Sequence, residues 1–534
     1  MTTLSHAPVE IPLAADRDGT ASLTAQIVAQ LRTALAEGQF AAGDRLPSTR
    51  ALAVSLGVSR TVVTTAYAQL FAEGWLEGRH GSGTYVAAGA PGASGAVAAP
   101  AAGASMITED YWRTQPKIFR DHGMGNGEAA GRGTAGPQGY QRPVGYQRPQ
   151  GWQGPQGWQG PQVQESAPVN LRPGIPWTEG IDQTAWRRAW RHAGAAPISN
   201  WPDAMGLPAL RTALAGYVRR SRAVRCAGEQ ILVTRGVSAS LSLLAAALLR
   251  PGDRVGIEEP GYPAARSVFE AHGARLVPCR VDADGLVVQE LPSDLRMVYT
   301  TPAHQYPLGG RLPVPRRQAL IAWARAAGAL VVEDDYDGEF RYDVGPLPAL
   351  FGLDPEVVVY LGTTTKTLTP TLGAGWLIAR PDLVTAVADA GSRAALRVPE
   401  PVQHAVLALL EHGDLERHIR RMRHDYARRR AAMVSLLGGS ARLHGDTAGM
   451  HMFLELPHGA DDEVAAAAQA RGVATATLRR YFAGPPARHG LVLGYGAASL
   501  AEVTRACQVL AGILAGLNYE GRRLDGPAFV GDDR

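Results

Sequence analysis

Lysine is nearly absent from this chain of 534 residues. Of its 53 lysines and arginines, only Lys117 and Lys366 are lysines. Arginine carries surface charge and binds phosphate as lysine does, but it neither loses its proton near neutral pH nor forms an imine with an aldehyde. The presence of a lysine in such a chain therefore indicates a chemical role that arginine does not fill. Lys117 lies in an irregular polar stretch and is interpreted as a solvated charge.

Cysteines and long apolar runs are scarce as well. Cys226, Cys279 and Cys507 are widely spaced and show no metal-ligand pattern, so we expect a reducing compartment, no disulfides and no metal. No apolar run of 18 residues and no secretory leader pattern is present, which predicts a soluble cytoplasmic protein. The net charge of +4 excludes a chain that binds polyanions over its whole surface. Any nucleic-acid surface must be local.

The length and the 46% of apolar residues predict two to four domains with at least one large core. Two patterned blocks, residues 20–87 and 167–518, flank a segment of different composition. Residues 88–166 are rich in Ala, Gly, Pro and Gln, and residues 139–162 form four hexads that each contain glycine and proline. This composition predicts a flexible linker, although its periodic tyrosines and tryptophans are also compatible with stacking on a partner. Residues 519–534 are expected to form a loose tail.

The first block has the pattern of a winged helix-turn-helix. Apolar residues recur every fourth position from Leu23 to Leu35, which places them on one helix face. Serines precede two further helical segments, and strand-like residues flank a glycine-rich turn. The predicted elements are a helix over residues 23–35, a short helix over 50–56 after the N-cap Ser48, a helix to residue 70 after the N-cap Ser59, and a wing made of residues 75–77 and 84–86.

This block closely resembles the winged helix-turn-helix of the GntR family of bacterial regulators. It contains that family's Leu-Pro-Ser-x-Arg, Gly-Val-Ser-Arg and Gly-Ser-Gly-Thr motifs. Arginine at the start of a recognition helix can hydrogen-bond the edge of a guanine, and threonine can contact a phosphate or the methyl group of a thymine. Because the block has a net charge of only +1, we expect two copies, and therefore a dimer, to bind double-stranded operator DNA. The contacts implied by the resemblance are Arg50, Ser59, Arg60, Thr61, His80 and Gly81, with a plain surface charge as the alternative for Arg50.

The second block alternates strand-like and helix-like runs. The run 231–234 predicts a buried strand, and residues 235–238 a turn into a helix, an arrangement that can hold a phosphate on backbone N–H groups. A second predicted strand, 330–336, ends in acidic residues. Because alternate side chains of a strand lie on the same face, Asp334 and Tyr336 share one face. Such a carboxylate can keep a pyridine nitrogen protonated, although solvated acids at a strand end are the alternative.

Lys366 follows a third apolar run in a hydroxyl-rich turn that contains Thr363 and Thr365. The order of phosphate turn, acidic strand and lysine resembles the fold-type-I aminotransferases, which bind pyridoxal 5'-phosphate (PLP). A GntR-type winged helix joined to such a domain resembles the MocR subfamily of regulators. The resemblance implies a covalent bond between Lys366 and PLP. It also implies that Asp334 contacts the ring nitrogen, that Tyr336 and His304 contact the ring oxygen, and that Tyr262 stacks on the ring. The implied phosphate contacts are Gly236, Val237, Ser238, Thr363 and Thr365.

Two departures from that family pattern stand out. Gly373 occupies the position, seven residues after the lysine, where an arginine usually holds the phosphate. Arg235 could supply that charge instead, or it could point to solvent or pair with Glu258. The strand that often carries a carboxylate-binding arginine is apolar here. Arg488 and Arg266 are then the candidates for effector binding, with ordinary surface arginines as the alternative.

The predicted fold class is multidomain: an α+β winged helix-turn-helix, and an α/β PLP-dependent transferase domain of fold type I with a smaller C-terminal α+β subdomain. The favoured function is a PLP-dependent transcriptional regulator that senses PLP or a small amino compound. The alternatives are an active aminotransferase with an appended DNA-binding module and a regulator whose effector domain has lost PLP binding.

Overall fold

The structure, a computed structural model, describes residues 13, 15–17, 21–36, 40, 43–79, 83–87, 168–343 and 347–519. The predicted linker, the predicted tail beyond residue 519 and the proposed DNA contacts His80 and Gly81 lie outside these ranges. No helix in the described ranges is long and apolar enough to cross a membrane.

The N-terminal domain is a winged helix-turn-helix. Its two later helices begin at serine caps, since the Ser48 and Ser59 hydroxyls accept hydrogen bonds from the backbone N–H groups of Ala51 and Val62. Gly74 ends the last helix at a φ of 79°, the left-handed region that glycine adopts without strain. The predicted helices and wing are confirmed: α1 Leu23–Ala36, α2 Thr49–Ser55, α3 Arg60–Glu73, β1 Leu76–Arg79 and β2 Gly83–Val86, the two strands pairing antiparallel.

The second domain is built around a large mixed sheet. Its strands read as short apolar runs because helices cover both faces. In chain order the sheet strands are β4 Ile231–Thr234, β5 Arg254–Glu259, β6 Arg275–Asp282, β7 Gly285–Leu286, β8 Met297–Thr300, β9 Leu330–Asp334, β10 Val358–Thr363 and β11 Gly375–Ile378, after a short β3 at Val169–Asn170. The helices of this part are α4 Gln183–Ala195, α5 Pro208–Arg222, α6 Val237–Leu248, α7 Pro263–Ala271, α8 Val314–Ala327, α9 Pro381–Arg393 and α10 Glu400–Glu411.

The strand order is β4-β11-β10-β9-β8-β5-β6-β7. The neighbours β10-β9-β8-β5-β6 pair in parallel, whereas β11 is antiparallel to both β10 and β4. Therefore β4 runs parallel to β10, and the carboxyl ends of β4, β8, β9 and β10 meet at one edge. In open α/β sheets this is the edge where ligands bind.

The C-terminal part is a smaller α+β unit around a second sheet of order β12-β13-β16-β15. It confirms the predicted fold class. Its elements are the long helix α11 Asp414–Leu437, β12 Leu443–His444, β13 His451–Glu455, α12 Asp461–Ala470, β14 Val473–Ala474, β15 Ala476–Thr477, β16 Gly490–Gly494 and α13 Leu500–Tyr519, with β14 pairing with β3.

The winged helix packs against the start of α8. Val314, the first residue of α8, is 9% exposed and belongs to the same apolar cluster as Leu70 and Trp75 of the winged helix. A Cβ on Gly74 would lie 3.4 Å from the Pro313 side chain, so the two backbones approach closely. The contact lies at the end of α3 opposite its start at Arg60.

Candidate cofactor and DNA-binding sites

A cavity of about 320 Å³ opens at the carboxyl edge of the large sheet. Most of the residues that enclose it lie at or shortly after the carboxyl ends of β4, β5, β8, β9 and β10, whereas Pro173 and Gly174 follow β3. The lining comprises Pro173, Gly174, Arg235, Gly236, Val237, Ser238, Tyr262, Tyr299, Thr301, Tyr306, Asp334, Tyr336, Thr363, Thr365 and Lys366.

Lys366 reaches into this cavity three residues after the end of β10. Its ammonium donates a hydrogen bond to the Gly174 carbonyl oxygen at 2.7 Å. Burial lowers the pKa of Lys366, and the nearby carboxylate of Asp334 opposes that shift only in part. A lowered pKa increases the fraction of neutral amine, which is the form that attacks an aldehyde.

Asp334 ends β9 and is 3% exposed. Its Oδ2 accepts a hydrogen bond from the Tyr299 hydroxyl, while its buried Oδ1 has no hydrogen-bond partner among the described residues. Burial raises the pKa of Asp334 to about 7 against the lowering effect of Tyr299. A cationic N–H donor placed at Oδ1 would remove the cost of this unsatisfied oxygen, as a protonated pyridine nitrogen does.

The opposite end of the cavity is suited to a phosphate. Gly236 precedes α6 with a φ of 98°, and no side chain caps the first N–H groups of that helix. A Cβ on Gly236 would lie 3.8 Å from the Thr363 hydroxyl oxygen and 3.9 Å from that of Thr365. Glycine therefore leaves a cradle of backbone N–H and hydroxyl groups.

Arg235 lines the same end of the cavity and is exposed. Within the described ranges, no hydrogen bond or ion pair engages its guanidinium. The alternative of a pair with Glu258 is excluded, because that buried carboxylate accepts hydrogen bonds from Thr300, Thr301 and Gln305. Gly373 is absent from the lining.

Tyrosines form much of the remaining wall. The rings of Tyr262 and Tyr306 meet edge to face with centroids 5.9 Å apart, and Tyr306 contacts Tyr336 in the same way at 5.6 Å. Sequence reasoning missed Tyr299, Thr301 and Tyr306. Tyr306 lies two residues after His304, in the loop that follows β8. The sequence does not show which of the two side chains faces the cavity, because that depends on the conformation of the loop.

His304 does not line the cavity, which corrects its expected place beside the cofactor ring oxygen. It is 1% exposed and lies behind Tyr336, whose hydroxyl donates to the His304 carbonyl oxygen at 3.0 Å. The His304 ring also contacts Asp337, with 3.0 Å between Nδ1 and Oδ2. Its side chain therefore supports a wall residue.

The two arginines proposed for effector binding also lie away from the cavity. Arg266 donates to the Tyr481 carbonyl oxygen at 2.7 Å and pairs with Glu259. Arg488 pairs with Glu455 at 3.1 Å. Because both guanidinium groups are engaged elsewhere, the structure does not support the role suggested for them.

The proposed DNA contacts in the described ranges form one exposed surface. Arg50, Ser59, Arg60 and Thr61 are all exposed at the starts of α2 and α3. The Arg60 Nε lies 3.4 Å from the Thr49 hydroxyl oxygen, which brings the two helix starts together. The Tyr67 hydroxyl donates to the Pro47 carbonyl oxygen at 2.8 Å and holds α3 against the loop before α2.

Each of the two domains matches the profile of a known protein family. The profile of the bacterial regulatory proteins of the gntR family matches residues 23–86, and the profile of aminotransferase class I and II matches residues 173–489.

Two similar curated proteins extend over nearly the whole chain. The HTH-type pyridoxine biosynthesis transcriptional regulator PdxR of Corynebacterium glutamicum is 33% identical over 492 residues, covering 91% of this chain and 95% of that protein. The probable rhizopine catabolism regulatory protein MocR of Rhizobium meliloti is 32% identical, covering 90% of this chain and 92% of its own.

Solved structures similar to the second domain are aminotransferases. An archaeal alanine:glyoxylate aminotransferase superimposes with a TM-score of 0.62 and 27% identity over 65% of this chain and 91% of its own. The α-aminoadipate aminotransferase LysN of Thermus thermophilus was solved with N-(5'-phosphopyridoxyl)-L-leucine. It superimposes with a TM-score of 0.60 and 26% identity, covering 66% of this chain and 93% of its own.

Proposed function

Because this chain belongs to the MocR subfamily of GntR-type regulators, we propose that it is a PLP-dependent transcriptional regulator whose aminotransferase-like domain senses PLP or a small amino compound. The observation that carries the proposal is the pairing of two sites in one chain. An exposed Arg and Thr surface starts the recognition helix, and Lys366 lines the same cavity as Asp334, whose Oδ1 has no partner among the described residues.

The residues around the cavity fit PLP group by group. When bound, PLP supplies an aldehyde and an electron-withdrawing ring. Lys366 provides the amine for the aldehyde, and Asp334 holds a proton at the ring nitrogen. The N–H groups at the start of α6 and the hydroxyls of Thr363 and Thr365 bind the phosphate, and Arg235 adds the positive charge that Gly373 does not provide.

The wall residues restrict the ligand and exclude water. Tyr262 would stack on the PLP ring, and Tyr306 and Tyr336 would complete the wall around it. Within the described lining the cations are Lys366 and Arg235. Since Arg235 is assigned to the phosphate, this wall favours an amine or PLP itself over an effector that needs an arginine for a carboxylate.

Regulation follows from differential affinity. An effector shifts the winged helices between arrangements only by the difference between its affinities for the two states. We propose a cytoplasmic homodimer, because one winged helix of low net charge binds DNA weakly and two copies supply the phosphate contacts that specific binding needs. The contact of Val314 with the winged-helix core is a physical route between the domains.

The test is a DNA-binding titration of the purified full chain on its own upstream region, with and without PLP. Wild type should change its DNA affinity or its half-site spacing preference when PLP is added, whereas Lys366→Arg should not respond. Lys366→Arg keeps the charge and removes the reactive amine. An identical PLP response in both proteins would contradict the proposal.

A second candidate function is a working aminotransferase. It is favoured by the intact combination of Lys366 with Asp334 at the cavity. Incubating the holoprotein with common amino acids and 2-oxo acids, and measuring the products, separates the two. Robust turnover with no effect of the amino acids on DNA binding would favour the enzyme.

A further inference from the structure

Three buried ligand-type side chains meet behind the wall of the cavity. His304 follows β8, Asp337 follows β9, and His451 begins β13, and each is 1% exposed. One nitrogen or oxygen atom from each lies within 4.8 Å of those from the other two. The cluster therefore joins the large sheet to the small one.

The hydrogen bonds of this cluster are incomplete. The His304 Nδ1 lies 3.0 Å from the Asp337 Oδ2, but the His304 Nε2 has no hydrogen-bond partner among the described residues, and neither ring nitrogen of His451 makes a hydrogen bond of good geometry there, although the Pro307 backbone lies close enough to interact with its ring. The two imidazole rings lie 4.7 Å apart between centroids. Each unsatisfied buried polar atom costs about 1–3 kcal/mol, so a bound ion or water that engages these atoms would stabilise the cluster.

The backbone is shaped closely around these groups. A Cβ on Gly449 would lie 2.0 Å from the His304 Cε1 and 2.7 Å from the Asp337 Oδ2. Gly449 also has a φ of 74°. Only glycine allows this close approach, so the chain is built to hold the imidazole and the carboxylate together.

We propose that His304, Asp337 and His451 form a buried site for one divalent ion of the zinc type, with the fourth position taken by a water. Two imidazoles and a carboxylate are a ligand set that Zn²⁺ takes. Tetrahedral zinc at about 2.0–2.2 Å from each ligand places neighbouring ligand atoms roughly 3.3–3.6 Å apart. The His304 Nδ1 and the Asp337 Oδ2, 3.0 Å apart, are close to that separation, and the ion would replace their hydrogen bond, with a rotation of the His451 ring bringing in the third nitrogen.

The ion would cross-link β13 to the loops after β8 and β9 beside the tyrosine wall. The rings of Tyr306 and His451 meet edge to face at 5.1 Å, and the Tyr336 hydroxyl lies 3.1 Å from the His304 Nδ1. Metal loading therefore positions the wall of the cavity. This inference does not depend on the proposed regulatory function.

The test uses untagged full-length protein that has been stripped with a chelator and then freed of it. Titration with Zn²⁺ against a chromophoric competitor should give one tight site per chain, and Zn²⁺ should raise the melting temperature. Asp337→Asn and His451→Gln should each weaken this site by about tenfold or more, since even outer-shell changes cost 10–100-fold.

A matched control is a second histidine pair, in the same subdomain as His451. His458 and His489 lie with ring centroids 4.3 Å apart, and the His489 Nδ1 is 3.3 Å from the Asp461 Oδ1. His489→Gln should leave the tight site and the thermal shift unchanged. Loss of the tight site in this variant would place the zinc at the second pair and overturn the proposal.

X-ray absorption of the zinc-loaded wild type provides a readout that does not depend on variants that fold poorly. It should show two imidazoles at about 2.0–2.1 Å together with an oxygen ligand. No tight zinc site in the wild type, or a high-resolution structure with only a buried water between His304 and His451, would overturn the proposal. Equal zinc affinity in wild type and folded Asp337→Asn would do the same.

Discussion

The proposed role of Arg235 as the positive charge at the phosphate gives a quantitative prediction. A hydrogen bond to a charged group contributes about 1.5–3 kcal/mol. Arg235 is exposed, so solvent screening places the expected value at the lower end. We therefore expect Arg235→Ser to weaken PLP binding by about 1.5 kcal/mol, which is roughly tenfold in Kd.

Spectroscopic titration of PLP-free protein measures this change. Arg225→Ser is the matched control, because Arg225 is an exposed arginine shortly before β4 that does not line the cavity. It should bind PLP as the wild type does. Gly373→Arg in the Arg235→Ser background should restore only part of the affinity. A Cβ at Gly373 has open space, but its φ of 54° strains any residue other than glycine.

Equal PLP affinity in wild type and Arg235→Ser would refute this role. It would also show that the helix start and the threonine hydroxyls hold the phosphate alone. A loss of the same size in Arg225→Ser would mean that the general positive charge of the domain, and not a direct contact, sets the affinity.

Arg60→Ala should weaken specific DNA binding by about 1–3 kcal/mol and relax the sequence preference, and an equal loss on random DNA would instead indicate a phosphate contact. Burial raises the pKa of Asp334 to about 7, so in PLP-free protein this group stabilises the fold below its unfolded pKa and loses that contribution as the pH rises through 7. Asp334→Asn should therefore reduce the fall in melting temperature between pH 5 and pH 8, and an unchanged fall would contradict the assignment. Val314→Asp should increase hydrogen exchange in α1 and α3 by undocking the winged helix, whereas Val54→Asp, at a residue 78% exposed, should not.

Local patterns predicted the elements well. The fourfold apolar spacing and the cap serines predicted the helices of the winged domain because caps and amphipathic faces are set within a few residues of sequence. The strands before Arg235 and up to Asp334 were predicted as short apolar runs, and both now border the cavity. Lys366 was identified by its rarity and by the turn that contains it.

Longer-range features left little local signal. The antiparallel β11 inside a parallel sheet depends on pairing partners far apart in sequence. The burial of Arg222 against Asp335 joins residues 113 positions apart. The resemblance implied His304 beside the cofactor ring oxygen, but Tyr306 of the same loop lines the cavity instead, and buried hydrogen bonds of Glu258 with Thr301 and Gln305 set the conformation of that loop. Residue types alone do not encode those contacts.

Borohydride reduction of the holoprotein followed by peptide mass mapping is the direct test of whether PLP binds covalently to Lys366. We expect a phosphopyridoxyl group on the peptide that contains Lys366, a visible absorbance band that disappears in Lys366→Arg, and no modification at Lys117. A reduced adduct that persists in Lys366→Arg, or a wild-type protein that takes up no PLP at saturating concentration, would contradict it.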